Sequence, residues 1–249
     1  MTAKRLRLSE ARDLVLRLLG PHNVGRLEYV LKPALRQSWG GAFNGQERRQ
    51  ELFRELLHAL RPAAVVETGT HKGTTTRFIA EESGLPVFTV ECDPRHHGFA
   101  SLLLRRHAKQ VELYLDDTRD FLRRLRRDQR LSQQQVLFYL DAHWIDVPLR
   151  EELELIFTHW ETAVAMVDDF EVPGTEYGFN DYGDGVALTM RYLAPLSGLG
   201  LQGFYPSARP DEETGARRGC VVLCRDRTIA GRLGSLPGLR RAGEEAGTG

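Results

Sequence analysis

The sequence has little cysteine, three residues in 249, which excludes a disulfide framework. No CxxC or Cys/His spacing of a zinc site appears either. Cys220 and Cys224 fall in one run read as a strand, about 13 Å apart along it and beyond disulfide reach, so they read as packed thiols. Nor is there an excess of charge: 34 basic and 34 acidic side chains cancel. A neutral chain exerts no long-range pull on phosphate polymers or anionic lipid, so a nucleic-acid or membrane partner would need a local basic patch. The densest basic run, Arg123 to Arg127, has the spacing of a solvated helix face. Long apolar runs are missing too. No stretch reaches the roughly eighteen residues of a membrane span, and charges interrupt the N-terminal Met1 to Glu10 before a signal-peptide core can form. These absences predict a cytoplasmic protein with neither nucleic acid nor membrane as partner. The content, 41% hydrophobic and 27% charged, suits a chain whose core needs neither metal nor disulfide to hold it together. Its basic residues are almost all arginine.

Two helical stretches come first. Ser9 can cap a helix with Leu14, Val15, Leu18 and Leu19 on one face, ended by Gly20-Pro21. An irregular segment through Trp39-Gly40-Gly41 leads to a second helix from about Gln46 to Pro62, striped by Leu52, Phe53, Leu56, Leu57 and Leu60. Thereafter short apolar runs alternate with amphipathic helices. The strands are Ala63 to Glu67, Val87 to Cys92, Val111 to Leu115, Val136 to Leu140 and Ala163 to Val167, with helices starting near Thr74, Arg95, Thr118 and Leu149. Strands apolar on both faces and alternating with helices imply a parallel sheet covered on each side. A glycine- and aromatic-rich loop, Pro173 to Gly185, precedes a helix expected at Val186 to Leu193. Strands near Leu201 to Tyr205 and Gly219 to Leu223 follow, joined by too little chain for a helical crossover, so they pair antiparallel. The expected architecture is a doubly wound, mostly parallel seven-stranded α/β sheet: five parallel strands, a C-terminal antiparallel hairpin and an N-terminal helical cap. The division reads as a helical cap over 1–61, a core over 62–225 and a frayed tail over 226–249.

In an open parallel sheet, ligands bind beyond the carboxyl ends of the strands. Those ends carry Glu67, Glu91, Asp116-Asp117, Asp141 and Asp168-Asp169, a collection of like charges that is costly unless cations or hydroxyl donors meet it. The first strand runs into Glu67-Thr68-Gly69-Thr70-His71-Lys72-Gly73-Thr74, a glycine turn entering a helix. A dinucleotide site uses GxGxxG, which sets pyrophosphate on bare backbone at a helix N-terminus. Here only Gly69 and Gly73 are present, and Glu67 stands where it would repel pyrophosphate and attract an ammonium group. S-adenosylmethionine carries such a group and no phosphate, so ExGxxxG fits it better than NAD. Glu91 can accept both ribose hydroxyls, and Asp117 and Thr118 fall where an adenine edge would lie. An ordinary strand-to-helix turn with solvated acids is the plain alternative.

The run from Glu67 to Gly73, Glu91, the Asp117-Thr118 pair and the strand order together resemble the class I S-adenosylmethionine-dependent methyltransferases, over about residues 46–225. The resemblance implies cosubstrate contacts at Glu67, Thr68, Gly69, Thr70, Gly73, Thr74, Glu91, Cys92, Asp117, Thr118 and Asp141. Leu140-Asp141-Ala142-His143-Trp144 and Val167-Asp168-Asp169 are similar to the metal-binding strand ends of catechol-type, cation-dependent O-methyltransferases and related sugar and natural-product enzymes. One departure stands out: where the catechol-type pattern has a lysine just after Asp-His-Trp, this chain has Ile145 and Asp146.

If the fourth and fifth strands are neighbours, their ends lie about 4.8 Å apart, and Asp141, Asp168 and Asp169 converge. A hard cation, Mg or Mn, would resolve the repulsion and lower the pKa of a bound substrate hydroxyl. The alternative is that Asp141 alone lines the pocket and the other two cap a turn. His143, two residues beyond Asp141, is the candidate base, with an expected near-neutral pKa. His71 competes for a cosubstrate or substrate contact. The 173–185 loop is the candidate substrate element, a mobile lid with Tyr177, Phe179 and Tyr182 to pack on a ring or sugar face and Asn180, Asp181 and Asp184 for polar specificity; an Ω-loop packed on its own aromatics is the bland rival. The N-terminal helices either roof the cleft or form a homodimer contact. The reading is therefore a metal-assisted O-methyltransferase acting on a small-molecule hydroxyl. Its rivals are a same-fold metal enzyme with other chemistry, such as hydroxylation of an antibiotic precursor, and a catalytically silent S-adenosylmethionine-binding partner or sensor.

Overall fold

The computed structural model describes residues 2–143 and 147–243; Trp144, Ile145 and Asp146 of the fourth strand-end motif lie outside them. Helix α1 covers Thr2–Leu31 but is broken at Gly20, whose φ of 70° and ψ of 157° are not helical. The break falls at Gly20-Pro21 as expected, yet the chain does not stay irregular afterwards. Proline opens a second helical half at no cost, because the first turn has no use for its missing N–H. That half lies on α4 (Pro94–Leu103), the contact being so close that a Cβ on Gly25 would sit 1.8 Å from the Arg95 carbonyl oxygen and one on Gly98 2.0 Å from that of His22. Glu28 adds an ion pair to Arg95 at 2.6 Å. Short 3-10 turns at Pro33–Gly40 and Ala42–Gly45 lead to α2 (Glu47–Leu60), whose buried face carries Arg49, Leu52, Phe53, Leu56 and Leu60.

The alternation follows: β1 (Ala64–Thr68), α3 (Thr74–Ser83), β2 (Val87–Glu91), then α4, β3 (Val111–Leu115), α5 (Thr118–Leu125), β4 (Val136–Leu140), α6 (Leu149–His159) and β5 (Val164–Asp168). The helix starts are chemically marked. Asp93 accepts the Arg95 N–H at 2.6 Å with Pro94 behind it, and Asp117 accepts the Arg119 N–H at 2.8 Å. Three strands close the chain, β6 (Gln202–Pro206), β7 (Cys220–Cys224) and β8 (Leu239–Arg241), with α7 (Arg227–Leu233) between the last two.

The sheet order is β3-β2-β1-β4-β5-β7-β6-β8, parallel from β3 to β5 and antiparallel beyond. Five parallel strands and a terminal hairpin are therefore present as expected, and an eighth strand adds to them. The segment from 226, read as a frayed tail from its glycine and arginine content, instead supplies α7, capped by Asp226, and β8 on the outer side of β6. The helix expected at Val186 to Leu193 is absent. Its backbone is spent on the preceding loop: Val186 N–H donates to Gly183, Leu188 N–H to Asn180, and the Leu188 carbonyl accepts from Glu171. Each face of the sheet is covered by apolar packing, with Phe121, Phe138, Phe157 and Trp160 on one side and Phe43, Phe53, Ile79 and Phe204 on the other. No helix among the described residues is long and apolar enough to cross a membrane.

Candidate active site

Strand order reverses between β1 and β4, which makes their carboxyl ends the switch point where a crevice opens. Register places Thr68 beside Leu140, so the glycine turn after β1 faces Asp141 directly. Gly69 has φ 91°, and a Cβ there would lie 2.5 Å from the Asp141 carbonyl oxygen. Only glycine permits this approach. Gly73, at φ 83°, starts α3.

Glu67 is fully buried. One of its oxygens, Oε2, accepts hydroxyl bonds from Thr76 at 2.5 Å and Thr89 at 2.6 Å, while Oε1 has no partner. Burial pushes its pKa up to about 7 against the two hydroxyl bonds. Thr70 pairs its hydroxyl with that of Thr89 at 2.5 Å, and the Thr68 and Thr74 hydroxyls are buried beside it. Glu91 accepts the backbone N–H of His71 at 2.6 Å and of Asp93 at 2.8 Å, which fixes the turn and leaves further lone pairs free. Cys92 is exposed beside it. Asp117, expected at an adenine edge, spends its carboxylate on the α5 cap and on Arg119 at 2.7 Å, and that side-chain bond holds its pKa low. Thr118 instead turns inward beside Glu152, a fully buried acid of α6 whose pKa burial raises to about 7. Sequence reasoning missed Glu152; an acid among the apolar positions Leu149, Leu153 and Ile156 was the available signal.

Asp141 and Asp168 meet at adjoining strand ends, where the Tyr139 hydroxyl reaches both, at 3.4 Å and 2.8 Å, and Asp168 and Asp169 both push the Asp141 pKa up. Burial is the larger cause in Asp141, and Asp168, Asp169 and Glu67 add to it. Their charge is met from an unexpected source. Arg49 of α2 donates to Asp168 in an ion pair whose side chains are 2% and 1% exposed. Tyr139 donates its hydroxyl to the other Asp168 oxygen at 2.8 Å. Arg218 donates Nε to Asp169 at 2.6 Å, and Asn180 donates to the second Asp169 oxygen at 3.0 Å. β7 runs antiparallel to β5 with Cys220 opposite Asp168, so the residues before β7 arrive at the carboxyl end of β5. A hard cation here would need several carboxylate oxygens turned toward it. Those of Asp168 and Asp169 are turned toward guanidiniums, an amide and a phenol. Among the described residues no group of three or more His, Cys, Asp or Glu side chains is arranged to hold an ion. The donor set as arranged does not fit a resident divalent metal.

His143 is buried, and burial pushes its pKa down to about 4, against the pull of the Asp168 carboxylate and backbone. The near-neutral value expected of it is corrected accordingly: burial disfavours the charged ring by more than Asp168 favours it. His71 does not enter the crevice bottom. It packs edge-on against His96 at 4.4 Å and meets Lys72 Nζ at 3.0 Å, and burial drives its pKa to about 3. The 173–185 loop divides. Tyr177 joins the core and donates its hydroxyl to the Ala208 carbonyl at 3.1 Å. Phe179 is half-buried and Asp181 and Asp184 are exposed. Asn180 donates to the Tyr182 hydroxyl at 2.9 Å and accepts from Arg218, while Tyr182 donates to the His143 carbonyl. Asn180 and Tyr182 are thus brought to the strand ends.

No protein-family model and no curated protein matches the sequence. Solved structures do match in shape. An O-methyltransferase from Bacillus cereus in complex with SAH superposes at a TM-score of 0.52 with 15% identity, over 72% of this chain and 81% of that one. TomG from Streptomyces achromogenes, an O-methyltransferase of tomaymycin synthesis in complex with SAM, gives 0.53 and 17%, over 71% and 79%. A Klebsiella pneumoniae protein classed as an O-methyltransferase gives 0.56 and 16%, over 80% and 94%. This chain has the class I methyltransferase fold. Within that fold, the β1 glycine turn and the β4 and β5 ends occupy the switch point, and Arg49, Arg218 and Tyr139 join Glu152 among the residues that the strand-end reading missed. Arg49 was detectable as a charged residue on the apolar stripe of α2; Arg218 left no comparable mark.

Proposed function

We propose that this chain transfers the methyl group of S-adenosylmethionine to a hydroxyl of a small molecule, a sugar or natural product. The observation that carries the reading is the β1–β4 crevice, where Gly69 lies bare against the Asp141 carbonyl between two buried glutamates, one with an unpartnered oxygen. Those residues fit the cosubstrate. Glu67 Oε1 awaits a donor such as an ammonium, Glu91 keeps lone pairs for ribose hydroxyls, and the glycine leaves room for a ligand on backbone. S-adenosylmethionine supplies an electrophilic methyl on a cationic sulfonium, and an acidic cleft favours that cation over its neutral product. Asp141, its pKa raised well above the ordinary carboxylate range by burial and by Asp168, lies against the bare glycine turn and is the group suited to take a hydroxyl proton. His143, uncharged in its buried site, shapes the adjoining wall. The 173–185 loop, tied down through Asn180 and Tyr182, offers the polar contacts for an acceptor, and its exposed Asp181 and Asp184 lie within reach of solvent. That TomG acts in the synthesis of a natural product supports the choice of acceptor class.

Calorimetry of the purified chain with S-adenosylmethionine and with S-adenosylhomocysteine tests the first half: saturable heat is expected with both, and absence of heat with either, in the presence or absence of magnesium, overturns it. Transfer of a tritiated methyl from S-adenosylmethionine onto a panel of hydroxylated sugars and phenols tests the second.

A further inference from the structure

The cleft has a cation requirement that the chain itself meets. Asp141, Asp168 and Asp169 place three carboxylates at adjoining strand ends, and two of them are paired with arginines from distant parts of the chain, one on the N-terminal α2 and one at the mouth of β7. We propose that Arg49 and Arg218 stand in place of a divalent metal, so that the site works with permanent cations, and that Arg218 is in addition a positioning residue that fastens the 173–185 loop to the end of β5. The inference rests on reading the crevice as a methyltransferase site.

Charge arithmetic supports it. Three carboxylates and two guanidiniums leave at most one negative charge, on Asp141, the one carboxylate of the three without a guanidinium partner among the described residues. A sulfonium carries one positive charge and matches that remainder. Adding a divalent ion would turn the sum positive beside a cationic cosubstrate and two guanidiniums, which like-charge repulsion opposes. The pairs are also structurally committed. Arg49 and Asp168 are both buried, and Arg49 further donates to the Arg218 carbonyl, so it cannot swing away without leaving a buried Asp168 oxygen unpaired and giving up a second bond. Guanidinium, unlike a metal, is neither chelated nor deprotonated in a protein.

Arg218 does more than neutralise. Its Nε holds Asp169 and its Nη2 holds the Asn180 side-chain oxygen, while Asn180 holds Tyr182 and Tyr182 holds the His143 carbonyl. A planar fork with two separated donors makes both contacts at once, which a lysine cannot do. One residue thereby links the β5 end, the loop and the β4 end.

The test needs no acceptor. Free Mn²⁺ is followed by its electron paramagnetic resonance signal as the full chain is added, and S-adenosylhomocysteine affinity is measured in EDTA and in MnCl₂. Wild-type protein is expected to leave the Mn²⁺ signal free and to bind S-adenosylhomocysteine with the same affinity, within about twofold, in both media. Arg218→Met is expected to gain Mn²⁺ binding that Asp169→Asn removes again, and to be cleaved faster by protease within 173–185. Arg218→Lys, which keeps the charge, is expected to bind no Mn²⁺ yet show the faster cleavage; it also decides the case if Arg218→Met does not fold. Saturable Mn²⁺ binding by the wild-type protein, abolished by Asp141→Asn, overturns the proposal, as does an Arg218→Lys loop as resistant as the wild type's. Absence of S-adenosylhomocysteine binding under every condition would instead sink the methyltransferase reading, with the Mn²⁺ and protease results still deciding the role of the arginines.

Discussion

Replacing Gly69 by alanine probes the crevice at its narrowest point. Two costs are separable. The residue holds φ 91°, a region in which an L side chain costs about 1–2 kcal/mol. The new Cβ would also lie 2.5 Å from the Asp141 carbonyl oxygen and 2.7 Å from its carbon, both backbone atoms of the neighbouring strand end, so no side chain can swing aside. Forcing β1 and β4 apart to relieve that overlap is an overpacking of about 1–3 kcal/mol. The total, about 2–5 kcal/mol, corresponds to roughly 5–15 °C in Tm for a domain of this size. Gly84 is the control. It has φ 63° and nothing within 4 Å of a built Cβ, so Gly84→Ala carries the backbone term alone. Urea unfolding of both variants should show Gly69→Ala worse than Gly84→Ala by about 1–3 kcal/mol. Calorimetry should show S-adenosylmethionine affinity reduced at least about tenfold in Gly69→Ala, a loss of roughly 1.4 kcal/mol, and unchanged in Gly84→Ala. Equal stability loss in the two variants would refute the close approach of β1 to β4. A destabilised Gly69→Ala that binds S-adenosylmethionine normally would keep the packing argument and move the ligand elsewhere.

Further outcomes follow from buried charge. Glu152 titrates at about 7 in the folded protein against 4.5 for the free group, chiefly through burial. Between those values the folded state keeps a proton that the unfolded chain has released, so stability falls as pH rises, by about 3 kcal/mol once above the folded value. Glu152→Gln should therefore gain on the wild type across that window in urea titrations at successive pH values, and a constant difference would contradict the assignment. Arg49→Met leaves Asp168 buried and uncompensated, an expected loss of about 3–5 kcal/mol. Adding Asp168→Asn should restore part of it in a double-mutant cycle, whereas additive losses would mean that the two side chains do not act on each other.

The parallel half of the fold was legible because the inner strands are apolar on both faces and the turns are marked locally: Gly69 after β1, Asp93 after β2 and Asp117 after β3 set the boundaries. The errors share a cause. The second half of α1 and the β8 segment draw their structure from partners remote in the chain, α4 and β6, and the stretch after Val186 bonds back onto the loop before it; local periodicity says nothing of either. The site divides the same way. Carboxylates at strand ends follow from topology and could be named from the sequence. Their answering cations could not, since Arg49 precedes Asp168 by 119 positions and Arg218 follows Asp169 by 49. The same distance in sequence explains His143: its spacing from Asp141 predicted its neighbourhood but not the dryness that holds its pKa near 4.

The short β8 strand has a consequence for how molecules of this protein meet one another. Without it, β6 would present an open row of backbone donors and acceptors, the template on which a foreign strand adds. Instead the sheet ends in three residues, Leu239–Arg241, two of them arginine. At the opposite border β3 carries Glu112, clasped by Arg130 at 2.5 Å and by the Tyr114 hydroxyl at 2.8 Å. Both margins are thus brief or charged, and neither invites a continuous intermolecular ribbon. The three residues of β8 thus close the margin of β6 on which a foreign strand would otherwise add.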